Sequence, residues 1–144
     1  MSALTLDQAR KIIAAAFEKG ADLNLKPLSV TVLDASGATI AFERQDGSAM
    51  MRPQIAHGKA YGAIALGMGS RAIFARAEQQ PFFIQAMNAL ANGSLVPVPG
   101  GVLVKSADGA IVGAVGITGD TSDNDEACAV AGIEAVGLKP DTGG

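Results

Sequence analysis

The sequence predicts an α+β domain in which a largely antiparallel sheet of about five strands carries helices on its faces. Three observations support that expectation. Apolar residues recur at helical spacing in "TLDQARKIIAAAFEKG", which opens the chain. Alternating segments are joined by the tight turns "DASG" and "SADG", and strands joined in this way pair antiparallel. The order reads α-ββ-ααα-βββ-α, with the helices grouped apart from the hairpins, which is the pattern of an α+β layer rather than of repeated βαβ units.

Each element has a local reason. Thr5 and Gln8 stand three apart, the spacing of a reciprocal capping box. Leu6, Ala9, Ile12, Ile13, Ala16 and Phe17 follow as one stripe, and Gly20 is the expected stop. In "LSVTVLD", Leu28, Val30 and Val32 alternate with Ser29 and Thr31, so a strand with one polar face is expected. "ATIAFER" returns beside it. Pro53 suits the first turn of a second helix, "PQIAHGKAYGAIALG". That helix puts Ile55, Lys59, Ala63 and Leu66 on one side and His57, Tyr61 and Ile64 on another. Gly58 and Gly62 leave a smooth strip on it, open to close approach by another backbone. "SRAIFARAEQQPFFIQAMNAL" divides into two short helices at Pro81. Phe82, Phe83, Ala86, Met87 and Leu90 form a stripe expected to be buried. "LVPVPGGVLVK" is strand-like but interrupted by prolines, which marks an edge or a bend. "AIVGAVGIT" is a strand, the segment after it a helix, and "GLKPDTGG" a tail.

Bulk properties narrow the function. The 144 residues suit one domain spanning 1–144. Hydrophobic residues at 49% against 17% charged exclude a disordered chain. A net charge of −3, with basic residues scattered, argues against a nucleic-acid partner. The longest apolar stretch is too short for a membrane span, no signal peptide is evident, and one cysteine forms no internal disulfide. A cytoplasmic protein is expected. Its 18 glycines imply close backbone contacts, and oligomerisation is one way for so small a chain to bury more surface.

The most polar stretch is "GAVGITGDTSDNDEACAVAG", Gly113 to Gly132. Ser122 or Asp123 can cap the helix that follows, and first-turn acids complement its dipole. Three aspartates repel a phosphate, and the spacing is not that of an EF-hand, so capping leads and ligand-facing carboxylates come second. His57 is the only histidine, available as acid, base or haem ligand, or simply packed. Lys59 sits on a mostly apolar stripe; the commoner outcome is that it snorkels to solvent, the other a pocket that shifts its pKa. Cys128 is expected to pack as a small hydrophobe, and Met50 and Met51 to fill gaps although they are potential soft ligands. A single histidine and a single cysteine leave no metal site to expect. No nucleophile elbow, GxGxxG or Walker sequence occurs. The "PGG" of Pro99–Gly101 is a tight bend that also lets backbone pass close to a ligand.

The set "LTLDQARKII", "VTVLDASGATIAFERQDG", "KAYGAIALG", "PVPGGVLVK" and "GAVGITGDTSDNDEACAVAG", in that order, resembles the GlcG/HbpS family, which includes the C-terminal domain of PduO-type corrinoid adenosyltransferases. The resemblance covers Leu4 to Gly137. It implies a profilin-like layered domain, homo-oligomers, and haem or a related small ligand, with links to small-molecule catabolism. The PduO-type domains are associated with a haem-ligating histidine on the first helix. This first helix has none, so if haem binds, His57 or a methionine would serve, or the contact would be superficial. The resemblance also implies a pocket between the second helix and the "PGG" and "GDTSDND" loops, lined by Arg44, Asp46, Arg52, His57, Lys59, Gly100, Gly101 and Asp120. Three readings follow: a haem- or small-ligand-binding accessory protein; an enzyme of lyase, isomerase or hydrolase type, acting on a small organic acid or carbonyl compound, with His57 moving a proton and Lys59, Arg44 or Arg52 holding a carboxylate or polarising a carbonyl; or a structural subunit joined through its glycine strips, without a ligand.

Overall fold

A computed structural model describes residues 3–144. Helix α1 (Leu6–Asp22) starts at the predicted box: the Thr5 hydroxyl accepts the Gln8 N–H at 3.1 Å, and Gln8 Oε1 accepts the Thr5 N–H at 3.0 Å. Ala9, Ile12, Ile13 and Ala16 are buried, while Leu6 lies 47% exposed at the open end of the stripe. The helix runs through Gly20 instead of stopping there. A Cβ at Gly20 would stand 2.9 Å from Leu28 Cδ1, so this glycine serves a close approach within the helix, not a helix end.

Strands β1 (Ser29–Asp34) and β2 (Thr39–Arg44) form the expected hairpin. Helices α2 (Arg52–Leu66), α3 (Ser70–Gln79) and α4 (Pro81–Leu90) follow, then β3 (Gly101–Lys105), β4 (Ile111–Thr118), α5 (Ser122–Ala135) and β5 (Lys139–Asp141). The sheet order is β2-β1-β4-β3-β5, with every neighbouring pair antiparallel. The predicted fold class is therefore observed, with one change of order. The fifth strand comes from the expected tail, giving α-ββ-ααα-ββ-α-β. "LVPVPGG" stays outside the ladder, and β5 takes the outer edge of β3. There the missing N–H of Pro140 is tolerated, and Lys105 Nζ lies 2.6 Å from Asp141 Oδ2.

Helices α1 and α5 cover one face of the sheet, packing on Val30, Val32, Val102, Val104, Val115 and Ile117. Helix α2 covers the other, with Ala60 and Ala63 against Leu33, Leu103 and Ala114. Two covered faces bury β1 on both sides. Ser29 and Thr31, expected on a polar face, are therefore buried as well, and Ser29 Oγ meets Ser48 Oγ at 2.8 Å. Gly116 lets α2 lie directly on β4, because a Cβ there would sit 2.0 Å from the Ala56 carbonyl oxygen.

Two surface expectations are corrected. The Gly58/Gly62 strip is filled by the protein's own chain: Val96 donates its N–H to the Gly58 carbonyl at 3.2 Å, and Leu95 packs over Gly62. The α4 stripe is largely open. Phe82 and Leu90 are 70% and 76% exposed, Phe83 and Met87 are half-buried, and Ile84 is the one fully buried residue of the helix. Helix α4 lies outside the main layers and packs chiefly on α3, so only one side of it meets protein. Among the described residues no helix is long and apolar enough to cross a membrane.

Candidate functional site

Lys59 does not snorkel. Its place on α2, facing the sheet where Gly100 and Gly101 cross, leaves it 2% exposed. Nζ donates to the Ile117 carbonyl at 2.9 Å and to Asp125 Oδ2 at 3.2 Å. Asp125, 1% exposed in the first turn of α5, uses Oδ1 to accept the Asp120 N–H at 3.0 Å. The pair thus ties α2, β4 and α5 together. Burial lowers the lysine pKa despite the attraction of Asp125, and the Arg52 charge adds to the lowering. Burial likewise raises Asp125 above the usual carboxylate range. Glycine is needed at both crossing positions. Gly100 has φ +123 and its missing Cβ would lie 2.8 Å from Lys59 Nζ; the missing Cβ of Gly101 would lie 2.2 Å from the Lys59 carbonyl oxygen. The Gly101 N–H is held by the buried Ser70 Oγ at 2.7 Å.

The acidic loop is occupied by its own structure. Thr121, rather than Ser122 or Asp123, caps α5, its Oγ1 accepting the Asn124 N–H at 3.2 Å. Asp120 accepts from Asn124 Nδ2 at 2.8 Å, from the Thr121 N–H at 2.9 Å and from the Lys26 N–H at 3.1 Å. These hydrogen bonds, led by that of Asn124, hold its carboxyl at about 2. Asp123 and Glu126 both contact the Arg71 guanidinium. Cys128 is buried and its thiol is pushed up to about 11 by burial, in keeping with a packing role. Among the described residues no three His, Cys, Asp or Glu side chains cluster to hold a metal.

The remaining predicted site residues lie elsewhere. Arg52 donates from Nη1 to Thr118 Oγ1 at 2.8 Å. Arg44 donates from Nη1 to the Ser48 carbonyl at 2.8 Å. Arg44, Ser29 and Thr118 are neighbours across β2, β1 and β4, so both arginines brace the same end of the sheet. Arg44 and Asp46 also line an open groove of about 640 Å³ beside the C-terminal end of α1. His57 is two residues before Lys59, about 200° round the helix, and so on another side of α2. It is half-buried, stacked on Tyr61 with ring centroids 5.4 Å apart and planes at 27°, at a cleft of about 440 Å³ completed by Pro53, Gln54, Gly93 and Ser94. It makes no hydrogen bond among the described residues.

The structure therefore distributes the predicted residues over three places. Lys59, Gly100, Gly101, Asp120 and Arg52 gather where α2 meets β4 and the α5 loop. Arg44 and Asp46 lie in the groove, and His57 in its own cleft. Sequence reasoning missed Asp125 as the partner of Lys59, and it missed Ser29, Ser48 and Ser70. Asp125 was visible only as one acid in a polar loop, since nothing local connects residues 66 positions apart.

Comparison with known proteins matches this architecture. The model of the family described as haem-degrading protein HbpS-like matches residues 4–134. A Citrobacter freundii relative, an uncharacterised 15.0 kDa protein in the dhaT-dhaS intergenic region, is 28% identical over 134 residues, covering 93% of this chain and 92% of its own. The Streptomyces reticuli HbpS double mutant superposes with a TM-score of 0.80 at 28% identity, over 94% of this chain and 88% of that one. PduOC, solved as a haem complex, gives a TM-score of 0.84 at 24% identity over 95% and 97%, a likeness of fold. With the five-stranded antiparallel sheet between its helices and a family match over nearly its whole length, the chain belongs to the HbpS-like family.

Proposed function

We propose that the protein is a cytoplasmic, homo-oligomeric accessory protein that binds haem, or a small ligand of similar shape, in the service of small-molecule catabolism. The observation that carries this reading is His57: the chain's only imidazole, half-buried at the mouth of a cleft, with no hydrogen bond among the described residues that would occupy a ring nitrogen. His57 is a donor of the kind that could hold haem iron. Stacking on Tyr61 restrains the ring, and the His57 nitrogens are free to face a ligand. When bound, haem would supply the iron chemistry, and His57 would hold it through a ring nitrogen beside Pro53, Gln54, Gly93 and Ser94. The cleft has few lining residues and is open, so a macrocycle seated there leaves apolar surface to be covered, which a second copy of the chain can do. Membership of the HbpS-like family and the haem complex of PduOC support the same ligand class.

Haem titration of the wild-type protein and His57→Ala, followed by absorbance, tests the reading. Saturable one-to-one binding with a Soret shift that is lost in His57→Ala is the expected result. A shift that persists unchanged in the variant removes His57 from the site, and no saturable binding removes haem.

A further inference from the structure

A second cluster lies on the α2 face of the sheet, where β2, β1 and β4 carry Arg44, Ser29 and Thr118 side by side. Residues opposite one another in a ladder share a face, so these side chains point the same way, toward the start of α2. Thr31 and Phe42, paired two residues along, share that face. Ser29, Thr31 and Thr118 are buried at 0%, 2% and 1% exposure, and Ser48 is buried beside them. Phe42 is 39% exposed, so α2 stops short of β2 and leaves the row open from that side.

The hydrogen-bond balance sets this cluster apart. Ser29 Oγ and Ser48 Oγ lie 2.8 Å apart, so one of their two hydroxyl hydrogens is used between them and the other has no acceptor among the described residues. Thr118 Oγ1 accepts from Arg52 Nη1 at 2.8 Å, and its own hydrogen is likewise left over. The Thr31 hydroxyl makes no hydrogen bond among the described residues. Buried hydroxyls normally find partners, and these are short of acceptors. The arginines add donors. Arg44 is fixed through Nη1 on the Ser48 carbonyl at 2.8 Å and Arg52 on Thr118, which leaves the other N–H groups of each fork uncommitted. Neither is in an ion pair among the described residues. Asp125, the buried carboxylate at this end of α5, is already taken by Lys59 and the Asp120 N–H. Donors are thus in excess and two positive charges uncompensated, on a chain whose net charge is −3.

We propose that this cluster binds a small dicarboxylate. Arg44 and Arg52 each hold one carboxylate through charge-assisted hydrogen bonds, and the spare hydroxyl hydrogens of the row satisfy the remaining oxygen lone pairs. The carbon chain between the carboxylates rests against Phe42. Arg44 and Thr118, the anchor of Arg52, stand two strands apart, roughly 10 Å at the backbone, a span that suits two anionic groups better than one. Two fixed cations likewise balance a dianion. The site goes beyond the haem reading and does not depend on it, since His57 lines a different cleft on another side of α2.

The test is amide chemical-shift titration of the full chain at low ionic strength with succinate, with butyrate (the same carbon count with one carboxylate) and with inorganic phosphate. Succinate is expected to shift the amides of Thr31, Phe42, Arg52 and Thr118 saturably. Butyrate and phosphate are each expected to bind at least about tenfold more weakly, the loss of one charge-assisted contact. Arg44→Gln and Arg52→Gln are each expected to weaken succinate by a similar factor, and Thr31→Val, which keeps the shape and removes the hydroxyl, by a smaller one. No saturable shift with succinate overturns the proposal. Butyrate equal to succinate overturns the two-anchor geometry, and phosphate equal to succinate overturns the dicarboxylate assignment. Succinate binding unaffected by either arginine substitution removes that arginine from the site. The ligand series uses the unaltered chain, so it decides the question even where a substitution disturbs folding. Haem titration reads His57 independently of all these outcomes.

Discussion

Replacing Lys59 by methionine is expected to be among the most damaging single substitutions in this protein. Methionine fills nearly the same volume but removes both Nζ contacts, at 2.9 Å to Ile117 and 3.2 Å to Asp125, and strands a carboxylate that is 1% exposed. Removing one partner of a buried pair typically costs about 3–5 kcal/mol, because the remaining charge stays desolvated. For a chain of this size that is a fall in Tm of roughly 10–15 °C. The loss should shrink as pH falls. The folded pKa of Asp125 is raised above its unfolded value of 3.8, so the folded state holds the proton more tightly, and the resulting relative stabilisation is present at low pH and lost as pH rises through the folded value. Without Lys59 the folded pKa rises further, and the stranded carboxyl is neutral over a wider acidic range. Lys59→Met/Asp125→Leu should recover much of the loss, falling short by the hydrogen bond that Asp125 accepts from the Asp120 N–H. Urea unfolding at several pH values measures all of this. Lys59→Met within about 1 kcal/mol of wild type at neutral pH, or a double variant no better than the single, would refute the reasoning.

Two further outcomes follow from the same region of the fold. The Asp120 carboxyl, at about 2, lies below its unfolded value of 3.8, so its stabilising contribution is complete above the ordinary range and lost as pH falls through about 4 toward 2. Asp120→Asn should therefore flatten the acid limb of a stability–pH profile, measured by urea midpoints, and an unchanged limb would count against the hydrogen-bond account. Gly116→Ala places a methyl 2.0 Å from the Ala56 carbonyl oxygen and 2.9 Å from Ala60 Cβ, backbone and helix that cannot simply turn aside. A loss of about 1–3 kcal/mol or more is expected by thermal melting, with α2 displaced from β4, and a neutral effect would show that α2 is not seated as described.

Local rules succeeded where the residues that set a structure lie close together in the chain. The Thr5–Gln8 box, the hairpin around "DASG" and the break at Pro81 each depend on a few neighbouring residues, and each forms as expected. The expectations that failed depended on what lies across from a segment. The alternation in β1 predicted one polar face, but α2 covers that face, so Ser29 and Thr31 are buried and Ser29 bonds to Ser48. The α4 stripe has helical spacing, but it lies outside the two main layers, so Phe82 and Leu90 stay in water. Lys59 was read against its own helix, where snorkelling is the commoner outcome. The deciding facts were a carboxylate 66 residues away and two glycines that close over the amine.

The sequence by itself determined the fold class, most of the elements and the family, because apolar period, turn chemistry and an ordered set of motifs are all written along the chain. Only the tertiary structure decided which charges meet. It put Lys59 on Asp125, gave the acids of the "GDTSDND" loop to Arg71, Lys59 and backbone N–H groups, and separated His57 from Arg44 and Asp46. Ion pairs and clefts are set by distances across the sheet and round a helix, and spacing along the chain does not encode those distances.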